Sequence, residues 1–114
     1  MEMPVLTVID LHQQANEANP VYANFPVAFV NDHVVRMGVM TEPYYWHRHP
    51  NSDESFLVIE GSLYIARDGT TIELHPGQLF IIPKNINHRT RPNGARSVNL
   101  TFESQDMETV KTNL

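Results

Sequence analysis

The chain has 114 residues, a formal net charge of −5 and no cysteine. Its length fits one domain with an apolar core of useful size. The negative charge and the absence of any lysine or arginine run argue against nucleic-acid binding, because phosphates require clustered cations, and the lack of cysteine excludes disulfides and thiolate sites.

The N-terminus lacks a basic stretch followed by an apolar run, and no apolar segment of about 18 residues occurs in the sequence. We therefore expect a soluble, cytoplasmic protein that does not associate with membranes.

Residues 1–20 are predicted to form an N-terminal arm, with a strand at residues 5–9 and a short helix at residues 11–19. Asp10 with Gln13 three residues later is typical of a capping box at a helix start. Such a short helix is stable only when it packs against another element. The arm is therefore expected to lie against the rest of the domain.

Short strands dominate residues 21–103. They are predicted at 25–31, 34–40, 44–47, 55–59, 62–67, 71–74, 79–82, 88–91 and 96–102. Asp68 and Gly69 are typical of a two-residue type I′ hairpin. Strands at this spacing indicate an all-β sandwich or barrel. Residues 104–114 form a polar C-terminal tail, expected to be mobile unless a partner subunit holds it.

Two segments, residues 56–59 and 79–82, are apolar at every position, which indicates strands buried on both faces. In a barrel the inner face lines the interior, so the outer face needs a cover. A homodimer would supply it, because large exposed apolar patches are uncommon on monomers. The alternative is that the N-terminal arm alone covers this face.

A histidine pair begins the part of the sequence that carries chemistry. His47 and His49 are separated by one residue, so on a strand both side chains project from the same face. Glu54 follows four residues after His49, and Gly61 follows six residues after Glu54. This spacing resembles the first motif of the cupin superfamily. Only the leading glycine of that motif is missing, and Thr41 stands at its position.

The second cupin motif is matched at Gly77, Pro83 and His88. Asn85 replaces the second glycine of this motif, and Pro92 replaces its final asparagine. Asparagine tolerates the left-handed backbone conformation better than most residues. The turn that presents His88 is therefore expected to form.

The resemblance covers roughly residues 34–102 and implies a small double-stranded β-helix, the cupin or jelly-roll barrel, here with a short N-terminal helix. It also implies that one divalent metal ion per chain is bound by His47, His49, Glu54 and His88. Imidazole and carboxylate ligands suit iron, manganese, nickel or zinc, so the ligand set leaves the identity of the metal open.

Four protein ligands leave open positions on a metal that prefers six. We therefore expect a metal-dependent enzyme, of the oxygenase or isomerase type, that acts on a small oxygen-containing organic molecule. Tyr45 lies two residues before His47 and is predicted to be catalytic, as a proton donor or substrate anchor; ordinary pocket lining is its alternative. The competing hypothesis is a non-catalytic module that binds or senses a small ligand.

Other residues have secondary roles in this hypothesis. Phe56 and Val58 share the strand parity of Glu54 and are expected to make the pocket wall partly apolar. Arg36 and Lys84 are more remote candidates for proton transfer. A small cationic grouping, which is either a solvated strand face or an anion-binding rim, consists of Arg89, Arg91 and Arg96.

Overall fold

One helix and ten strands make up the described part of this computed structural model, which covers residues 5–18 and 21–113. They are α1 (Leu11–Glu17), β1 (Ala23–Val30), β2 (His33–Met40), β3 (His47–Arg48), β4 (Glu54–Glu60), β5 (Leu63–Arg67), β6 (Thr70–Leu74), β7 (Leu79–Ile82), β8 (Arg89–Pro92), β9 (Ser97–Ser104) and β10 (Val110–Lys111). The predicted all-β class with a short N-terminal helix is confirmed. Within the same ranges, no helix has the length and apolar character needed to cross a bilayer.

The strands form two antiparallel layers around a shared apolar core. The first layer has the strand order β1-β2-β9-β4-β7. The second contains β6-β5-β8, which a backbone bridge between His47 and His88 joins to the β10-β3 pair. Both layers contribute to one buried cluster, which consists of Met40, Phe56, Val58, Leu63, Ile65, Leu74 and Ile82. This arrangement is the predicted jelly-roll barrel.

Side chains on β2 and β9 alternate between the barrel interior and its outer face, as the period of a strand requires. Met37 and Val39 of β2 belong to an outer cluster that also contains Ala15 of α1. The helix starts as predicted, since Asp10 Oδ1 accepts a hydrogen bond of 3.1 Å from the Gln13 backbone nitrogen. Its predicted last residue, 19, lies outside the described residues. The helix thus covers part of the outer face of the first layer.

The predicted strand at residues 5–9 is wrong. This segment is irregular, Leu6 has a φ of 53°, and Val5, Leu6 and Val8 are largely exposed. An apolar β-branched pattern forms a strand only when another strand satisfies its backbone groups. No described strand pairs with this segment. Among the described residues of the N-terminal arm, Ile9, Ala18 and α1 pack against the sheet.

Two turns follow the predictions from the sequence. Asp68 and Gly69 have φ values of 41° and 72°, and Arg67 pairs with Thr70 across a two-residue loop. These positive φ values at both central residues are those of a type I′ turn. Asn85 has a φ of 70°, so it adopts the left-handed conformation expected where the cupin motif has glycine.

The C-terminal tail is more ordered than expected from its polar composition. Val110 and Lys111 pair with Arg48 and His47 as an antiparallel ladder. The tail therefore continues the second layer, because its backbone groups find a partner in β3 within the same chain. Its placement brings Met107 and Thr109 into the lining of an interior cavity.

Strand β7 leaves an apolar edge uncovered in the single chain. It is the last strand of the first layer, and Leu79 and Ile81 remain 58% and 55% exposed. A second copy can extend the layer at this edge and bury these side chains. We predict a homodimer by light scattering at micromolar concentration, and Ile81→Lys should shift it toward monomer. A monomeric wild-type chain would contradict the prediction.

Candidate metal centre

Four side chains from distant parts of the sequence converge at one end of the barrel interior. They are His47, His49, Glu54 and His88, all buried, with ligand atoms within 4.8 Å of one another. Pairing of the two chain segments explains the meeting: the His47 backbone nitrogen donates to the His88 carbonyl at 3.0 Å, and the reverse bond is 2.8 Å. All four predicted ligands are therefore brought together.

Backbone carbonyls fix the orientation of each imidazole. The Nδ1 atoms of His47, His49 and His88 lie 2.7, 3.0 and 2.9 Å from the carbonyl oxygens of residues 45, 108 and 86. A carbonyl oxygen can only accept, so each Nδ1 must donate its proton. In the neutral rings the Nε2 lone pairs are consequently free. Hydrogen bonding of one ring nitrogen while the other binds metal is the usual arrangement of histidine ligands.

The atoms that face one another need a cation between them. His49 Nε2 and His88 Nε2 lie 3.1 and 3.4 Å from Glu54 Oε1, yet these three buried atoms have no hydrogen-bond partner among the described residues. Lone pairs on nitrogen and carboxylate oxygen repel when nothing positive separates them. Three nitrogens and one carboxylate are a suitable donor set for a divalent transition metal. The site therefore fits the metal that the sequence predicts.

The pKa values of the ligands differ because their neighbours differ. Burial lowers the pKa of His47 to about 4, and the nearby His88 adds to this effect. Burial also acts to lower the pKa of His49, but the Glu54 carboxylate outweighs it and the net pKa is raised. For Glu54, burial acts to raise the pKa, yet its close contacts with the His49 and His88 rings leave it below its ordinary value. The carboxylate is thus charged and ready to bind a cation.

A cavity of about 430 Å³ opens from the metal centre. Near the histidines it is bordered by apolar or aromatic side chains, including Met40, Tyr44 and Phe56. Another side of the cavity, called here the polar wall, consists of Asn24, Arg36, Asn99, Thr101 and Glu103. A cavity of this size accommodates a small organic molecule.

The structure does not place Tyr45 at the site. Its side chain is 60% exposed, it is absent from the cavity lining, and Lys111 Nζ lies 4.0 Å from its ring centroid. The predicted strand at residues 44–47 is reduced to His47–Arg48, so the two-residue alternation does not extend back to Tyr45. Its backbone carbonyl, which orients His47, is its contribution to the centre. Tyr44 and Tyr22 line the cavity instead.

Of the other residues predicted near the site, some line the cavity and others do not. Phe56 lines the cavity as expected, whereas Val58 is buried in the core and Lys84 lies away from the lining. None of the three arginines of the cationic grouping lines the cavity; Arg91, for example, stacks on Tyr64 at 4.1 Å. The anion-binding rim near His88 is therefore not formed by these residues.

Of the polar wall, sequence reasoning named only Arg36, and it missed the tail. Polar residues alternate along β9 at Asn99, Thr101 and Glu103, a pattern that identifies one face of the strand. This signal was present, but the predicted strand stopped before Glu103. Met107 and Thr109 of the tail also line the cavity, and no periodic pattern marks them.

The comparison with known families bears on the same residues. The family model described as cupin domain matches residues 33–102, more than half of the chain. This chain belongs to the cupin family. The uncharacterised protein YdbB of Bacillus subtilis (strain 168) is 47% identical to this cupin over 97 residues, which cover 84% of this chain and 85% of YdbB.

Solved structures share the fold. A cupin-2 domain containing protein from Shewanella frigidimarina has a TM-score of 0.80 and 26% identity, with 86% of this chain and 95% of that chain covered. The DMSP lyase DddQ from Ruegeria pomeroyi has a TM-score of 0.70 at 17% identity, with 81% of this chain and 52% of that chain covered. The likeness to DddQ concerns the fold alone.

Metal binding by this cupin should weaken in acid. A histidine nitrogen binds metal only after it loses its proton, and the pKa of His49 lies above 6.5 whereas that of His47 is about 4. Lowering the pH therefore protonates His49 first, and the apparent affinity should fall about tenfold per pH unit below the pKa of His49. Chelator competition between about pH 8 and 5 measures this slope. A flat profile would contradict the ligand assignment.

Asn51 fastens the tail to the barrel beside the metal centre. Its amide donates to the Asp106 carbonyl at 3.0 Å, and its side-chain oxygen accepts from the Glu108 nitrogen at 2.8 Å. The Glu108 carbonyl in turn orients His49. Asn51→Ala should therefore lower metal affinity by about 10-fold, as loss of an outer-shell contact does.

The matched control is Asn93→Ala, because Asn93 also bonds through its amide but contacts Glu73 at 2.7 Å, away from the cavity. Metal affinity should be unchanged in this variant. Chelator competition on both variants is the measurement. Equal affinity of the two variants would show that the tail does not support His49.

Proposed function

We propose that this cupin is a metal-dependent enzyme of the oxygenase or isomerase type that acts on a small oxygen-containing organic molecule. The observation that carries the proposal is the convergence of three buried histidines and the Glu54 carboxylate at the end of a cavity of about 430 Å³, with His49 Nε2, His88 Nε2 and Glu54 Oε1 left without hydrogen-bond partners among the described residues. A site built only for stability would be closed, whereas this one faces a space that a substrate can enter.

The metal would be held by His47, His49, Glu54 and His88. When bound, a divalent metal acts as a Lewis acid that favours loss of a proton from a coordinated oxygen-containing substrate. The fixed Nδ1 hydrogen bonds hold the three rings in place before any ligand arrives. Preorganisation of this kind reduces the reorganisation that binding and reaction require.

Two other tyrosines can serve as the proton donor or substrate anchor that the sequence analysis assigned to Tyr45. Tyr22 and Tyr44 both line the cavity, and the Tyr44 ring lies edge-on to His47 with centroids 4.9 Å apart. Burial, together with the nearby Tyr44 and Glu42, raises the pKa of Tyr22 above 10.0. Its phenol therefore stays protonated and can donate a hydrogen bond to a substrate oxygen. The fold of the DMSP lyase DddQ supports the proposal in general terms, since an enzyme is built on the same barrel.

The test begins with element analysis of the purified protein, which should give close to one iron, manganese, nickel or zinc ion per chain. The protein is then reconstituted anaerobically with each metal and mixed with diols, catechols, β-diketones and hydroxy acids. Oxygen uptake reports oxygenation, and product chromatography reports isomerisation. Turnover with one metal and one substrate class supports the proposal.

Variants of the tyrosines sharpen this test. Tyr22→Phe and Tyr44→Phe should slow turnover without loss of metal, whereas Tyr45→Phe should match the wild type because its phenol lies outside the cavity. No turnover with any metal or substrate class would refute the enzymatic proposal and favour a module that binds or senses a small molecule.

A further inference from the structure

The polar wall lies beside the metal centre because of the strand register. Glu103 and Glu54 take equivalent positions on paired strands, since Ser55 pairs with Phe102. Thr101 pairs with Arg36 on its other side. Cross-strand partners are about 5 Å apart. A molecule bound at the metal therefore lies within reach of Glu103 first and Arg36 next.

The two charged groups of the wall have unused hydrogen-bonding capacity. Glu103 is only 2% exposed, and its Oε1 atom has no hydrogen-bond partner in the described ranges. Its other oxygen lies 3.4 Å from the Thr101 hydroxyl. A buried carboxylate oxygen left without a donor costs free energy. Glu103 lines the cavity beside Glu54, so a donor on a bound molecule can approach its carboxyl group.

Arg36 is held in the wall by one hydrogen bond and has further N–H donors that are not used within the described ranges. Its NH1 donates to Asn24 Oδ1 at 3.3 Å, the one hydrogen bond recorded for this side chain among the described residues. A guanidinium carries five N–H donors. Arg36 and Glu103 lie on the paired strands β2 and β9 of this wall and attract each other, yet no salt bridge joins the two in the part of the chain described here. Arg36, with unused donors, and Glu103 thus line the same cavity.

Gly38 keeps this space open. It lies in the middle of β2, where a Cβ atom would come within 3.2 Å of Asn99 Oδ1. A glycine inside a strand weakens the sheet and is often found where a ligand or another chain segment approaches closely. Its place here is explained by the room that it leaves for the Asn99 amide on the polar wall.

We propose that the polar wall recognises a small hydroxycarboxylic acid, whose carboxylate pairs with Arg36 and whose hydroxyl donates to the Glu103 carboxyl group. This proposal rests on the proposed function and names the substrate class of the same site. A carboxylate matches the fork of a guanidinium better than a neutral oxygen does. The hydroxyl supplies a donor to the Glu103 carboxyl group, and the cavity has room for a small organic acid.

The test measures binding rather than turnover. Zinc-loaded protein is titrated calorimetrically with lactate, 3-hydroxybutyrate and malate, and with the neutral amide of lactate. At least one of the three acids should bind. Arg36→Gln should weaken its binding about 10- to 100-fold, as loss of a charge-assisted pair does, and Arg36→Lys should fall between. Zinc content should stay unchanged, since Arg36 is not a ligand.

Arg91→Gln is the matched control, because Arg91 stacks on Tyr64 outside the cavity. Lactamide binding should be the same in all variants. If Arg36→Gln and Arg91→Gln bind the acids equally, or if no acid binds to the wild type, the proposal is overturned. Turnover of a neutral diol at a rate that Arg36→Gln does not change would also overturn this proposal, but it would leave the enzymatic function intact. Binding of an acid without turnover would support this substrate class and contradict the enzymatic function.

Discussion

His88→Ala is expected to lower the metal affinity by more than about 100-fold, beyond the 10- to 100-fold typical of outer-shell changes. His88 is fully buried, and its Nε2 atom lies 3.4 Å from Glu54 Oε1. The substitution removes one of three nitrogen donors, and solvent can replace it only with a weaker oxygen ligand. Chelator competition with zinc, followed by element analysis after dialysis, measures the loss.

A histidine outside the metal centre provides the control. His75 is 57% exposed at its side chain and lies 3.7 Å from Glu73, so His75→Ala should bind metal like the wild type. Unfolding of both variants in excess chelator separates metal loss from misfolding, because the comparison then contains no metal contribution. Full occupancy of His88→Ala would show that the metal is held elsewhere.

Much of the metal centre could be predicted because its pattern depends on local rules. The one-residue spacing of His47 and His49 predicts that their side chains converge, and they do so although the strand contains only His47 and Arg48. Asn85 adopts the left-handed turn that its residue type permits. The approach of His88 depends on antiparallel pairing across the barrel, which spacing alone does not show; the resemblance to a family supplied that step.

The failures have a common physical cause. Tyr45 was assigned to the pocket by extending the strand alternation beyond residues that pair, and the strand begins only at His47. The segment at residues 5–9 has strand propensity without a partner strand. The tail has little propensity, yet it pairs because β3 offers an open edge. In each case tertiary hydrogen bonding, which the sequence does not display, decides the structure.

The polar wall shows a second limit of prediction from the sequence. Alternation along β9 separates Asn99 and Thr101 from Val98 and Leu100, but either set can face inward in a barrel whose two sides are both covered. Here α1 covers the apolar set, so the polar set faces the cavity. Knowing which face the helix covers was the missing information.

Gly61→Ala is expected to destabilise the fold by roughly 2–5 kcal/mol. Gly61 has a φ of +70°, and a Cβ atom there would lie 2.6 Å from the Arg96 carbonyl oxygen and 3.2 Å from Ser97 Cα. Both neighbours are backbone atoms next to or within β9, so no side chain can move aside. Relief requires that the turn after β4 separate from the start of β9.

Gly69→Ala separates this clash from the cost of a positive φ. Gly69 has a φ of +72°, nearly the same conformation, but nothing lies within 4 Å of its added Cβ. It should therefore lose only about 1–2 kcal/mol, the cost of the left-handed conformation for a side chain. Urea denaturation of the metal-free proteins, with unchanged m-values, gives both free energies of unfolding. Equal losses would mean that the backbone absorbs the contact, and the last glycine of the first cupin motif would then be explained by its φ angle alone.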